Sequence, residues 1–152
     1  MVPGKISKRI VSDRLAWVDR MLSEIRALPL ESKSTFMQDT RNIWAAESCL
    51  RRALEALFDM GRHIAAKGFC EAVTEYKEIA SALNRRNVIS VSDLELMKKL
   101  AGYRNRLVHF YHDVSADELF EICVSHLQDV EQIADALRAW IVNNPDSMDQ
   151  TL

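Results

Sequence analysis

The stretch LRRALEALFDMGRHIAAK, residues 50–67, decides the fold class. Leu50, Leu54, Leu57 and Ile64 recur in it at steps of four, three and seven, which on a repeat of 3.6 residues is one face of an α-helix. Followed upstream through Ile43 to Phe36, the pattern predicts one long helix over 35–67, closed by Gly68. The same repeat returns on both sides. Ile10, Leu15, Val18, Leu22, Ile25 and Leu28 predict a helix over 7–28 that stops before Pro29. Val73, Tyr76, Ile79 and Leu83 predict another over 69–83, ending in the turn Asn84–Asn87. Ser92 with Glu95 forms a capping box that opens a helix over 92–112, with Leu96, Leu100, Tyr103 and Leu107 on one face. Ser115 with Glu118 opens the last, 115–142, which stops at Asn143-Asn144-Pro145. Each stripe must be buried against the others, so the expectation is an all-α antiparallel bundle of four to five helices.

Composition agrees with that reading. The 152 residues suit a single domain, 1–152. With 48% apolar and 28% charged residues, and only 4 Gly and 3 Pro, disorder is excluded and a many-stranded sandwich or barrel is disfavoured. The longest apolar run falls far short of the roughly 18 residues that a membrane span requires, and the first twenty residues lack the pattern of an export signal. A cytoplasmic protein without a membrane partner is expected. Cys49, Cys70 and Cys123 are odd in number and lack CxxC spacing, which predicts buried, reduced thiols rather than disulfides or a zinc site. The net charge of −2 hides an asymmetry: residues 1–112 carry 19 Lys/Arg against 13 Asp/Glu, and residues 113–152 carry 1 against 9. The front of the chain can therefore offer an anion-binding surface.

Polar chemistry crowds into one place, YRNRLVHFYH at residues 103–112. At 100° per residue Asn105, His109 and His112 form a polar stripe opposite Leu100, Tyr103 and Leu107, so His109 is expected to face away from its own core. RNA cleavage by attack of a 2′-hydroxyl needs a group that moves a proton near neutral pH, and His109 is one. It also needs a fixed cation for the phosphate, and Arg104 is one. Asn105, one turn before His109, can hydrogen-bond the ring or the phosphate. Arg106, Lys98 and Lys99, with Arg85 and Arg86, can extend a phosphate track or simply be solvated. Tyr111 lies about 20° from Leu100 and about 40° from Leu107 on the helical wheel, so its ring can belong to the core stripe. His63 and His126 stand alone inside helices and read as packing or surface residues.

The pattern Arg104-Asn105-x-x-x-His109-x-Tyr111 resembles the Arg-x4-His signature of the HEPN superfamily, and specifically its HepT branch. The resemblance runs from about Trp44 to Trp140, through residues 52–67, the Asn87–Ser90 turn and residues 101–111. It implies a toxin of a type VII-like toxin–antitoxin pair, acting as a metal-independent ribonuclease with Arg104, Asn105 and His109 as catalytic residues and needing no cofactor. It implies a homodimer formed through the motif region. It also implies a nucleotidyltransferase antitoxin that silences the toxin by adenylylating Tyr111. His112, directly after that tyrosine, departs from the pattern.

On an ideal helix Arg104 and His109 point about 140° apart. A swung Arg side chain, a helix unwound before His109, or a second subunit would each bring them together, and the expected dimer favours the last. Two other readings compete: a binding module of the same fold that holds a nucleotide or RNA end without cleaving it, and a helical scaffold. Arg and His serve binding and catalysis equally well, so residue types alone do not separate the first of these from a ribonuclease.

Overall fold

The computed structural model of the chain describes residues 4–109, 114–149 and 151. Among these it is all-α: α1 (Lys8–Arg26), α2 (Lys33–Gln38), α3 (Thr40–Phe69), α4 (Tyr76–Arg85), α5 (Val91–His109), α6 (Ala116–Ser125) and α7 (Leu127–Asn143). A parallel pair of two-residue strands, β1 (Ile6–Ser7) and β2 (Met148–Asp149), ties the beginning of the described chain to its end. The bundle is as expected. Its helices outnumber the expected five because two of those are each broken at one residue.

The expected helix 35–67 is two helices. Asp39 adopts an extended conformation and its carboxylate accepts from the Arg41 N–H at 2.9 Å, capping α3. An aspartate before Thr40 offers the backbone this alternative to continuing the helix. The expected helix 115–142 breaks at His126, where the chain leaves helical geometry and the ring Nδ1 approaches Asp129 Oδ2 at 3.2 Å. Apolar periodicity carries on across both breaks, which is why the stripes alone read through them.

Three ends also differ. Gly68 does not close α3; the helix continues to Phe69, and Cys70 takes the left-handed conformation at φ 57°. The Cys70 and Glu71 N–H groups then donate to the carbonyls of Ala66 and Ala65 at 3.1 and 3.0 Å, a reciprocal C-terminal cap. The turn leaves Cys70 exposed, against the expectation of three buried thiols. Because that turn redirects the chain, α4 starts at Tyr76 rather than at residue 69. At α5 the hydroxyl that caps the helix belongs to Ser90, which accepts from the Asp93 N–H at 3.1 Å. Ser92 lies inside the helix. Ser115 caps α6 as expected, accepting from the Glu118 N–H at 3.1 Å.

α3 is the central element and touches every other helix. Leu50, Leu54, Leu57 and Ile64 are fully buried along it, each contributing about 1.5–3 kcal/mol relative to exposure. α1 runs antiparallel to it, with Ile10 near Ala66 and Trp17 near Arg52. α4 crosses α3 closely at Gly61, where an added Cβ would sit 3.1 Å from both Ile79 and Leu83. That approach brings the Tyr76 ring onto Phe58, stacked at 4.5 Å. No helix among the described residues is long and apolar enough to cross a membrane.

Candidate active site

α5 carries the motif on its last two turns and remains helical through His109. Unwinding before His109 is therefore not the way Arg104 and His109 meet. His109 is exposed at the helix end, facing away from the core as its position on the wheel predicts. Asn105 precedes it by one turn on the same face and is half-buried.

Arg104 turns inward instead. Its guanidinium lies over the Tyr76 ring at 4.4 Å from the centroid, within range of a cation–π contact. Its Nε stands 3.6 Å from Glu55 Oε1, and Nη1 donates a long bond of 3.4 Å to Asn105 Oδ1. The Arg104 side chain keeps only 20% of its exposure, and its Nε is buried with no acceptor within hydrogen-bond distance among the described residues. Glu55 also accepts from Arg51 at 3.3 Å, so one carboxylate serves two guanidinium groups. Burial pushes the Tyr76 hydroxyl up from its ordinary pKa, with the Arg104 charge pulling the other way.

The neighbouring cations are occupied. Arg106 makes a bidentate pair with Glu118 at 2.6 and 2.7 Å, tying α5 to α6, and this bond holds the Glu118 carboxyl below its ordinary pKa. Lys99 reaches Asp129 at 3.8 Å, and Arg85 and Arg86 share Glu71 at 3.4 Å. Lys98 is half-buried on the same helix. Tyr111 and His112 lie outside the described residues.

Glu55 and Tyr76 were missed by sequence reasoning. Tyr76 reads as one more member of the α4 core stripe, and no spacing rule links α3 or α4 to a residue on α5. The remaining histidines behave as packing and surface groups. His63 Nε2 accepts from the Ser7 N–H at 2.9 Å, and burial, then Lys67 and Arg14, hold its pKa down. Cys123 is pushed up to about 12, mainly by burial, so its thiol stays protonated. No cluster of three or more His, Cys, Asp and Glu suited to a metal occurs among the described residues.

An inward-held cation and an exposed imidazole on one helix end are suited to a phosphodiester if a second subunit brings them together: the guanidinium balances the anion, and the imidazole exchanges a proton.

Comparison with known proteins points the same way. The family described as ribonuclease HepT-like matches residues 18–137. The mRNA nuclease HepT of Shewanella oneidensis is 26% identical over 130 residues, covering 86% of this chain and 97% of that protein. The tri-AMPylated Shewanella oneidensis HEPN toxin in complex with MNT antitoxin matches at a TM-score of 0.76 with 26% identity, over 86% of this chain and 97% of its own. The Bacillus subtilis cytosolic protein YutE, of unknown function, matches at 0.75 with 18% identity over 92% and 94%, a likeness of fold alone.

Proposed function

Because the chain belongs to the ribonuclease HepT-like family of the HEPN superfamily, we propose that it is the toxin of a toxin–antitoxin pair: an endoribonuclease that uses Arg104, Asn105 and His109, held in check by a nucleotidyltransferase antitoxin that adenylylates Tyr111. The observation that carries this reading is the state of Arg104. A guanidinium fixed by an aromatic ring and a carboxylate, one turn and a half from an exposed histidine, is a preorganised phosphate site.

His109 takes the proton of a ribose 2′-hydroxyl, the oxygen attacks the adjacent phosphorus, and the bond to the 5′-oxygen breaks as that oxygen receives a proton from the protonated His109 or from water. The products are a 2′,3′-cyclic phosphate and a 5′-hydroxyl. Arg104 balances the charge gathering on the non-bridging oxygens, and Asn105 orients the ring or the phosphate. No metal or cofactor enters this sequence. Arg104 faces α3 and α4 while His109 faces outward, which supports a composite site in a homodimer, with Arg104 from one subunit and His109 from the other. Lys98, Lys99 and Arg106 flank that cleft and can add phosphate contacts at the expense of their present pairings. Nucleotide units on Tyr111, two residues beyond His109, would place bulk and phosphate charge where RNA must lie.

Growth on induced expression tests the reading. Wild type should arrest growth, His109→Ala should not, and a co-expressed nucleotidyltransferase of the MNT type should restore it. Arrest that survives His109→Ala would contradict the ribonuclease reading.

A further inference from the structure

The cations closest to the motif are largely matched by carboxylates, and the excess positive charge lies elsewhere. Along the antiparallel pair α1 and α3 the surface opens into three cavities that share walls: Arg14 and Asp59 belong to the first and second, Ile10 and His63 to the second and third. Together they form one furrow. Glu55, the contact of Arg104, lines one end, and Lys67 lines the other, about 18 Å further along α3 by helical rise.

Charge and shape change along its length. At the Arg104 end stand Trp17, 42% exposed, and Arg52, which makes no ion pair among the described residues. Midway, Asp59 is shared by Arg62 at 3.0 Å and Arg14 at 4.0 Å, leaving a cation in excess. The far cavity, of about 420 Å³, is lined by Lys5, Arg9 and Lys67 and by no carboxylate among the described residues. Lys5 spends one donor on the Asp146 carbonyl, which leaves its charge in place. α1 begins at this cavity with no acidic residue in its first turn, so the positive end of its dipole adds to the field. His63, in the same wall, has its Nε2 lone pair committed to the Ser7 N–H.

We propose that this α1/α3 furrow carries the single-stranded RNA, with a backbone phosphate in the Lys5–Arg9–Lys67 cavity and a base stacked on Trp17, several nucleotides from the bond that is cut. The proposal rests on the ribonuclease reading. A cationic groove with an exposed aromatic wall is the arrangement that holds single strands without regard to sequence. Asp13, Glu55 and Asp59 along the furrow can accept hydrogen bonds from 2′-hydroxyls and base amino groups, donors that the carboxylates of an acidic peptide lack, while the phosphate charge is met in the Lys5–Arg9–Lys67 cavity.

The test measures binding of labelled single-stranded oligoribonucleotides, one of about 12 and one of about 4 nucleotides, to the full chain carrying His109→Ala to prevent cleavage. Adding Arg9→Glu with Lys67→Glu should weaken the longer RNA by tenfold or more and lower its salt slope by about 1.4, the share of two phosphate contacts on a single strand. The short RNA, which covers less of the furrow, should lose less than the longer one. Trp17→Ala should weaken the longer RNA by about fivefold or more. Lys77→Glu, an exposed cation of α4 that lines none of the three cavities, is the charge control and should change little. Unchanged affinity in the Arg9/Lys67 reversal, or an equal loss in Lys77→Glu, overturns the furrow while the ribonuclease reading stands. If the His109→Ala chain binds no RNA and wild type cuts none, both fall.

Discussion

The guanidinium of Arg104 lies 4.4 Å from the centroid of the Tyr76 ring, and that ring in turn stacks on Phe58 at 4.5 Å. Three helices, α3, α4 and α5, thus meet in one column with a permanent cation at its end. A cation–π contact of this kind is worth about 0.5–2 kcal/mol, or about 2- to 30-fold if all of it serves to position the phosphate partner. Tyr76→Phe keeps the ring and should keep cleavage within about twofold; Tyr76→Leu should lose about 2- to 30-fold in kcat. Circular dichroism separates this from unfolding, and equal rates in both variants would remove Tyr76 from the site.

Removing the chemistry itself should cost far more. His109→Ala should lower cleavage by about 10²–10⁴ without loss of fold. Arg104→Ala should do likewise, and Arg104→Lys should rescue poorly, because an ammonium does not make the planar paired contacts of a guanidinium. The composite site makes a sharper demand. Mixed dimers of Arg104→Ala and His109→Ala protomers bring one intact Arg104 to one intact His109, so mixing two inactive proteins should restore part of the activity. Light scattering should show the dimer, and no restoration on mixing would place both residues in one subunit's site.

Tyr111 asks a separate question. After co-expression with a nucleotidyltransferase of the MNT type, intact mass should show added adenylyl units on wild type and none on Tyr111→Phe, which should also escape silencing. Equal gains on both would remove Tyr111 from regulation.

Acid should weaken the packing of β1 on α3 through His63. Its folded pKa is held below the ordinary 6.5 by burial and by Lys67 and Arg14, so the unfolded chain takes up a proton before the folded one does. The sign follows: stability is full above about pH 6.5 and is lost as pH falls through that value toward the folded pKa. His63→Gln can still accept from the Ser7 N–H and lacks the titration. Its melting temperature should fall less than that of wild type between about pH 7.5 and 5.5; parallel falls would contradict the assignment.

The bundle and its polar end were legible because both are written in short-range patterns. Leu50, Leu54, Leu57 and Ile64 share a face by spacing alone, and Ser115 marks where α6 must begin. The breaks at Asp39 and His126 were hidden because a hydrophobic stripe continues across them, although Asp39 followed by Thr40 is a readable cap. The surroundings of Arg104 were not legible. Glu55 and Tyr76 reach it from other helices, through a crossing that depends on the missing side chain of Gly61, and no pattern along one helix encodes which neighbour's ring will face its arginine. The pairing of Arg106 with Glu118 is likewise a tertiary fact, seen only once α5 and α6 are side by side.

The claim that this chain is a ribonuclease working through Arg104 and His109 is tested most directly by the ends it leaves. Purified wild type incubated with RNA in the presence of EDTA should produce fragments bearing 2′,3′-cyclic phosphates and 5′-hydroxyls, and the His109→Ala preparation should leave the RNA intact. Intact RNA with wild type, or fragments ending in 3′-hydroxyl and 5′-phosphate, would contradict the account.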